Sequence, residues 1–412
     1  MPERPRVVVT GIGPVTPVGI GVSPFWEGLT TGRNGVRSIT AFDTSALPVK
    51  VAGEVPDWDV ATFLDAKEAR RTDPFAQYAL AAAQLAWDDA GSPEVPSERG
   101  GVIFATGIGG IQTLLNQHVV MLEKGAGRVS PFMVPMLMAN AAAGLIAMRF
   151  GLTGPNYCTV SACASSNNAI GEAMRLVRDG YLDLCIAGGS EAATVPLTVS
   201  AFSQMTALTK NPDPETASRP FDAHRNGFVL SEGGAALMLE SEEHANARGA
   251  RIYCEVAGYG MSDDAYHITA PDPKGSGASL AMRWALQDAG EDAGAVDYVN
   301  AHGTSTGLND AAETAAMKSA LGEETARRVT ISSTKSMTGH MLGAAGAVEG
   351  AACALAIANG LVPPTIHYVT PDPDCDLDYT ANEARAMDVR LALSNSFGFG
   401  GQNACIAFRR AS

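Results

Sequence analysis

The chain has 412 residues and a formal net charge of −15, with 44 acidic side chains against 29 Lys and Arg. That balance argues against a nucleic-acid binder, which needs a basic face for phosphates, and leaves room for a small acidic partner on a local basic patch. The seven cysteines, Cys158, Cys163, Cys185, Cys254, Cys353, Cys375 and Cys405, are irregularly spaced and form no CxxC pair. They read as reduced thiols in a cytoplasm rather than a disulfide framework or zinc site.

The chain enters an apolar run at Val7–Thr10, which predicts a buried strand ending in a turn at Gly11-Ile12-Gly13-Pro14. No secretory leader and no membrane-length apolar run are expected. An Ala-rich helix is predicted over Phe75–Ala90, then a strand over Gly101–Ala105. A helix over Ser165–Asp179 stops at Gly180, and a strand over Leu184–Ala187 ends at Gly188-Gly189. Phe228–Glu240 and Arg251–Tyr259 read as strands. In the second half, a helix over Leu280–Ala289 precedes strands over Val296–Asn300 and Val329–Ser333. A helix over Gly343–Asn359 stops at Gly360, and strands over Ala392–Ser396 and Ala404–Phe408 close the chain. Each half thus repeats strand, loop, small-residue helix, glycine stop and strand. That order predicts layered α/β sheets from an internal duplication, divided at 1–250 and 251–412.

Three loops carry candidate chemistry. Cys163, in Thr159-Val160-Ser161-Ala162-Cys163-Ala164-Ser165-Ser166, sits where a strand gives way to a helix. Unpaired N–H groups and the positive end of the helix dipole lower a thiol's pKa there and favour a nucleophile. His302, in Asn300-Ala301-His302-Gly303-Thr304-Ser305-Thr306, and His340, which follows Lys335 and Gly339, both lie after strands among small residues. Phe399 stands in Gly398-Phe399-Gly400-Gly401, where the backbone is free to aim an N–H at an oxyanion.

These motifs, with Val9-Thr10-Gly11-Ile12-Gly13, Ala217-Ser218-Arg219-Pro220-Phe221-Asp222, Asp264-Ala265-Tyr266-His267 and Asn395-Ser396-Phe397-Gly398-Phe399, resemble the β-ketoacyl-acyl-carrier-protein synthases of the thiolase superfamily over nearly the whole chain. The resemblance implies a five-layered αβαβα sandwich of two related halves. It implies a decarboxylative condensation in which Cys163 carries the acyl chain, His302 and His340 polarise a malonyl thioester, Lys335 orients the site, and the N–H groups of Cys163 and Phe399 hold the oxyanion. By the same resemblance Thr304 and Thr306 hold a phosphopantetheine arm, Ile108 and Phe202 line an acyl pocket, and Phe399 gates it. Asn300, Glu349, Ser394 and Asn395 match a monovalent-cation site, and no metal or other cofactor is required of the chain itself.

The implied partner is acyl carrier protein, an acidic molecule for which Lys67, Arg70, Arg71, Lys124, Arg128 and Lys210 are candidate contacts. A homodimer is expected, or a heterodimer with a homologous chain-length-factor subunit; neither nucleic acid nor membrane is an expected partner. The fatty-acid enzymes of the family usually have glycine where this chain has Ser166, which leaves the pathway open. Elongation in fatty-acid synthesis leads, and the catalytic ketosynthase of a type II polyketide system is the close rival. A non-catalytic partner subunit or a coenzyme A thiolase fits less well with Cys163, His302, Lys335 and His340 all present.

Overall fold

A computed structural model describes residues 5–411. Ten strands build its frame: β1 (Val7–Thr16), β2 (Gly100–Ala105), β3 (Asn156–Tyr157), β4 (Leu184–Glu191), β5 (Gly233–Ser241), β6 (Cys254–Asp263), β7 (Tyr298–Asn300), β8 (Thr330–Ser332), β9 (Leu391–Gly398) and β10 (Gln402–Arg409). Five helices matter for the site: α1 (Pro74–Asp89), α2 (Ser165–Arg178), α3 (Ser276–Ala289), α4 (Gly307–Leu321) and α5 (Ala345–Asn359).

The strands follow one path that divides into two five-stranded sheets, in the orders β1-β5-β4-β2-β3 and β6-β10-β9-β7-β8. The halves meet where β1 pairs with β6 through Val8–Glu255 and Val9–Cys254. Each order maps onto the other strand for strand. In both, the three strands farthest from that junction are parallel and the remaining two pairings are antiparallel. Helix α1 covers the outer face of the first sheet, and α3 with α4 covers that of the second. Helices α2 and α5 pack on each other and on both sheets. The result is five layers, αβαβα, as the sequence predicts.

Two glycine pairs explain how tightly the outer helices sit. A Cβ at Gly11 or Gly13 would come within 2.2 Å of Ala86 O or 2.0 Å of Ala82 O on α1. A Cβ at Gly258 or Gly260 would come within 2.2 Å of Ala285 O or 2.0 Å of Ala281 O on α3. Glycine in a strand here marks close backbone approach. The turn expected at Gly11–Pro14 is therefore absent, and β1 continues to Thr16 with one register shift between Val9 and Gly11. The same reasoning carries β4 past Gly188-Gly189, because a Cβ at Gly188 would meet Ala235 O at 2.2 Å. Phe228–Glu232 makes isolated bridges, and β5 begins at Gly233.

Asp73 starts α1 by accepting from Phe75 N at 3.2 Å, with Pro74 in the first turn, where a missing N–H costs nothing. Gly360, at φ 62°, ends α5 in the left-handed conformation. The segment Leu342–Asn359 is apolar and long enough to cross a membrane by composition, contrary to the sequence expectation. It is 89% buried, as the shared core of the two sheets requires. All seven cysteines are free.

Candidate active site

Cys163 lies between β3 and α2, 8% exposed. The bend before it is held by Ser165, whose Oγ accepts from Ser161 N at 2.8 Å and donates to Ala162 O at 2.6 Å. Ala162 adopts φ 48°, a strained conformation for alanine. Beyond this bend the sulfur faces His340 in a loop of the second half. Gly398 packs against the same bend, where a Cβ would come 2.8 Å from Ser161 O.

His340 occupies the related place in the second half, between β8 and α5. Its backbone N–H donates to Val229 O at 2.8 Å, and Ser231 N donates to its carbonyl at 3.0 Å. Its ring stands edge-on to Phe228, and Nε2 lies 3.1 Å from Cys163 Sγ. His302 follows β7. Its backbone N–H and that of Gly303 donate to Glu313 Oε1 and Oε2 at 2.8 and 2.7 Å, and Asn395 Nδ2 donates to Oε1 at 3.2 Å. The sulfur and one ring nitrogen from each histidine lie within 4.8 Å of one another.

Lys335 sits behind this group, ion-paired with Glu349, each side chain 2% exposed. Its Nζ is 3.4 Å from His302 Nδ1. An ammonium has only donors, so Nδ1 accepts and the neutral ring carries its proton on Nε2. Burial first, and then the charge of Lys335, hold the pKa values of both histidines well below the usual imidazole range. Both rings are therefore neutral at pH 7.

The thiol departs from the sequence expectation. Burial pushes Cys163 up to about 12, although the charge of Lys335 and the backbone N–H of Phe399 pull it down. In this pocket desolvation outweighs what the address at a helix N-terminus supplies. The free thiol keeps its proton, and His340 Nε2 is the group against it. The Phe399 N–H aims at the sulfur, as the glycines around it predict.

A cavity of about 550 Å³ opens onto Cys163, His302 and His340. Ile108, Phe202, Thr304, Thr306 and Phe399 all line it. Phe202 packs edge-on against Phe228, and the hydroxyls of Thr304 and Thr306 are 3.0 Å apart. Thr306 also caps α4, accepting from Asn309 N at 3.3 Å.

Asn300, Glu349, Ser394 and Asn395 are buried beside the site, and Asn300 and Ser394 are register partners on β7 and β9. Asn300 Oδ1, Glu349 Oε2, Ser394 Oγ and Asn395 Oδ1 have no hydrogen-bond partner among the described residues. A set of hard oxygen donors left over in a dry interior fits a monovalent cation.

Lys67, Arg70, Arg71, Lys124, Arg128 and Lys210 are all exposed and stay outside the cavity. Arg71 stacks 4.4 Å over the Phe132 ring. Two acids of the site were not singled out from the sequence for a role. Glu191 ends β4 and Glu313 lies on α4, and each accepts backbone N–H groups of a cavity loop. The signal available was a carboxylate next to small residues at a buried strand end, as in Gly188-Gly189-Ser190-Glu191.

Comparison with known proteins agrees with this geometry. The family described as "Beta-ketoacyl synthase, N-terminal domain" matches residues 4–245, and "Beta-ketoacyl synthase, C-terminal domain" matches residues 253–369. A Synechocystis sp. protein named 3-oxoacyl-[acyl-carrier-protein] synthase 2 is 52% identical over 411 residues, covering 99% of each chain. Among solved structures, the ishigamide ketosynthase/chain length factor aligns over 100% of both chains with TM-score 0.93 and 37% identity. A type II polyketide synthase acyl-carrier protein in complex with its hexaketide-bound ketosynthase aligns with TM-score 0.91 and 35% identity, over 99% of this chain and 100% of that one.

Proposed function

We propose, from the premise that the chain belongs to the β-ketoacyl synthase family and condenses an acyl chain with malonyl-carrier protein, that Cys163 carries the acyl group and that His302 and His340 drive the carbon–carbon bond. The observation that carries this assignment is the 3.1 Å contact between Cys163 Sγ and His340 Nε2. Attack of the Cys163 sulfur on the acyl thioester forms the acyl-enzyme. The departing carrier thiolate takes the proton that the thiol gives up, and His340, its own proton on Nε2, donates to the sulfur as charge develops there. The N–H groups of Cys163 and Phe399 hold the oxyanion.

Malonyl-carrier then loses CO2, and the electron pair of the broken bond becomes an enolate. His302, with its proton on Nε2, donates to the thioester oxygen, and neutral His340 does the same once the sulfur is acylated. Each such donor is worth about 3 kcal/mol of barrier. The enolate carbon attacks the acyl carbonyl, the Cys163 sulfur leaves, and the product is a β-ketoacyl chain two carbons longer. Lys335 holds the His302 tautomer. Asn300, Glu349, Ser394 and Asn395 would hold a monovalent cation, which adds a fixed positive charge to the buried Lys335–Glu349 network.

Thr304 and Thr306 would bind the phosphopantetheine arm, and Ile108, Phe202 and Phe399 would shape the acyl end. The exposed Lys67, Arg70, Arg71, Lys124, Arg128 and Lys210 would receive an acidic carrier protein. Strand β3 is an exposed edge, and Val119, Leu122 and Val134 are exposed apolar side chains. Together they favour a second copy of the chain, or a homologous subunit, as a sheet-extending partner. Seven free thiols favour the cytoplasm.

Fatty-acid elongation is the pathway favoured by 52% identity to a 3-oxoacyl-carrier synthase, against 35–37% to polyketide ketosynthases. The polyketide reading rests on the TM-score of 0.93 to a ketosynthase/chain length factor. Purified protein mixed with saturated or polyenoyl acyl-carriers and malonyl-carrier, followed by intact mass, separates them. Saturated chains loaded on Cys163 and extended by this protein alone support fatty-acid elongation. Activity on unsaturated or poly-keto chains alone, or only with a second subunit, transfers the chain to the polyketide reading. No acyl group on Cys163 from any carrier overturns both.

A further inference from the structure

The carboxylate of Glu191 ends β4 and is completely buried. It accepts four hydrogen bonds, from Thr106 Oγ1 at 3.0 Å, Gly107 N at 2.7 Å, Ile108 N at 3.2 Å and Gly343 N at 3.1 Å. Three of these come from the loop that carries Ile108 into the cavity. The fourth comes from the turn Leu342–Ala344, which begins two residues after His340.

The carbonyl of Gly343 is held as well. Ser166 Oγ donates to Gly343 O, and Ser166 lies three residues after Cys163, in the first turn of α2. The fit is tight: a Cβ at Gly343 would come 2.1 Å from Gly107 N, and one at Gly189 would come 2.2 Å from Ser166 Oγ. One residue is therefore gripped on its N–H by Glu191 and on its C=O by Ser166, across two successive peptide groups. The grip joins the Cys163 helix, the His340 turn and the Ile108 loop, three segments far apart in sequence.

We propose that Glu191 and Ser166 are positioning residues: their bracket on the backbone of Gly343 holds Cys163 and His340 in register, and through Glu191 the same bracket sets how far Ile108 reaches into the acyl cavity. The second part rests on the reading that Ile108 faces the acyl chain. The two residues then act differently. Ser166 touches the register between nucleophile and histidine, while Glu191 touches that register and the cavity wall. Positioning errors near 1 Å lower rates by up to about a hundredfold, so loss of a bracket bond has a measurable effect.

Two variants test this against the wild-type protein, each with hexanoyl- and tetradecanoyl-carrier as acyl donors. Ser166→Ala lowers kcat about tenfold for both donors and leaves their ratio of kcat/KM unchanged. Glu191→Gln, which sets an NH2 group against N–H donors, lowers kcat similarly and shifts the ratio toward the longer donor by about tenfold. Thr106→Val removes one cradle bond, and with it the acceptor of the Gly109 N–H in the same loop, at constant shape and shifts the ratio in the same direction; it stands in if Glu191→Gln melts early. Wild-type kcat in Ser166→Ala overturns the bracket. A wild-type ratio in both Glu191→Gln and Thr106→Val overturns the link to Ile108. Alkylation of Cys163 by iodoacetamide needs no acyl donor and must change in Ser166→Ala even if wild-type protein loads no carrier. That result keeps failure of the bracket apart from failure of the functional reading.

Discussion

The two halves share sheet order, strand directions and a central helix each, yet they differ in what they place before that helix. Between β3 and α2 stands Cys163; between β8 and α5 stand Lys335 and His340. The connections that close the sheets differ too. In the second half Phe399–Gly401 joins β9 to β10 as a tight turn, whereas in the first half Ala192–Glu232 runs between β4 and β5. That long connection supplies Phe202 and Phe228 to the cavity, while the tight turn supplies one aimed N–H. Equivalent positions in the two halves thus converge on one point because α2 and α5 share the middle layer. The duplication builds the meeting place, and divergence of the loops builds the chemistry.

If the halves divide the labour in this way, losing the first half's contribution has the largest effect. Cys163→Ala removes the acyl carrier itself, and condensation falls to background, about a millionfold for a covalent nucleophile. Intact mass shows no acyl adduct, and circular dichroism stays that of the wild type. Residual condensation at a tenth of the wild-type rate would mean that the sulfur is no nucleophile. Losing a second-half group removes one donor instead. His302→Ala and His340→Ala each lower decarboxylation of malonyl-carrier by a hundred- to a thousandfold, read as released CO2. Decarboxylation at the wild-type rate in either variant would break the assignment.

Much of this comparison was legible in the sequence. The strand-loop-helix rhythm, the elbow at Cys163 and the small-residue loops around His302, His340 and Phe399 all carry local signatures. Four features were not, and each is a matter of tertiary context. Gly11 and Gly13 resemble turn residues until α1 is seen lying on them. The thiol at a helix N-terminus reads as acidified until its burial is known. Glu191 looks like any acid after a strand, because four donors from two distant loops meet only on folding. The helix Gly307–Leu321 went unpredicted as well, its polar first turn hiding a buried face.

The glycine pairs offer a smaller test of the symmetry itself. Gly13→Ala presses on α1 at Ala82 O, and Gly260→Ala presses on α3 at Ala281 O, each at 2.0 Å. Both contacts are with backbone, which has little room to yield. Each variant should lose about 1–3 kcal/mol of stability, the usual effect of overpacking, measured by denaturant midpoint. Equal losses support equivalent outer layers. A loss confined to one variant would show that one half tolerates separation of helix from sheet.

The smallest effect concerns pH, and here the second half stands apart. His302 and His340 have folded pKa values well below the unfolded value of 6.5, lowered by burial and by Lys335. Below 6.5 the unfolded chain binds protons that the folded chain refuses, so stability falls as pH falls. Each histidine contributes up to about 1.4 kcal/mol per pH unit in that window, and neither contributes above it. Glu191, Glu313 and Glu349 work in the opposite sense. Burial raises each to about 7, so the folded chain binds more protons than the unfolded chain as pH drops from 7 toward 4.5. The total curve mixes the two, but a difference isolates the histidines. The loss of stability from pH 7.5 to 5.5 should be larger in wild type than in the double variant His302→Gln/His340→Gln, which keeps all three glutamates. Equal losses in the two proteins would mean that the rings are protonated in the folded state. Protonated rings would add two positive charges beside Lys335, and the neutral donors that the second half brings to Cys163 would be gone.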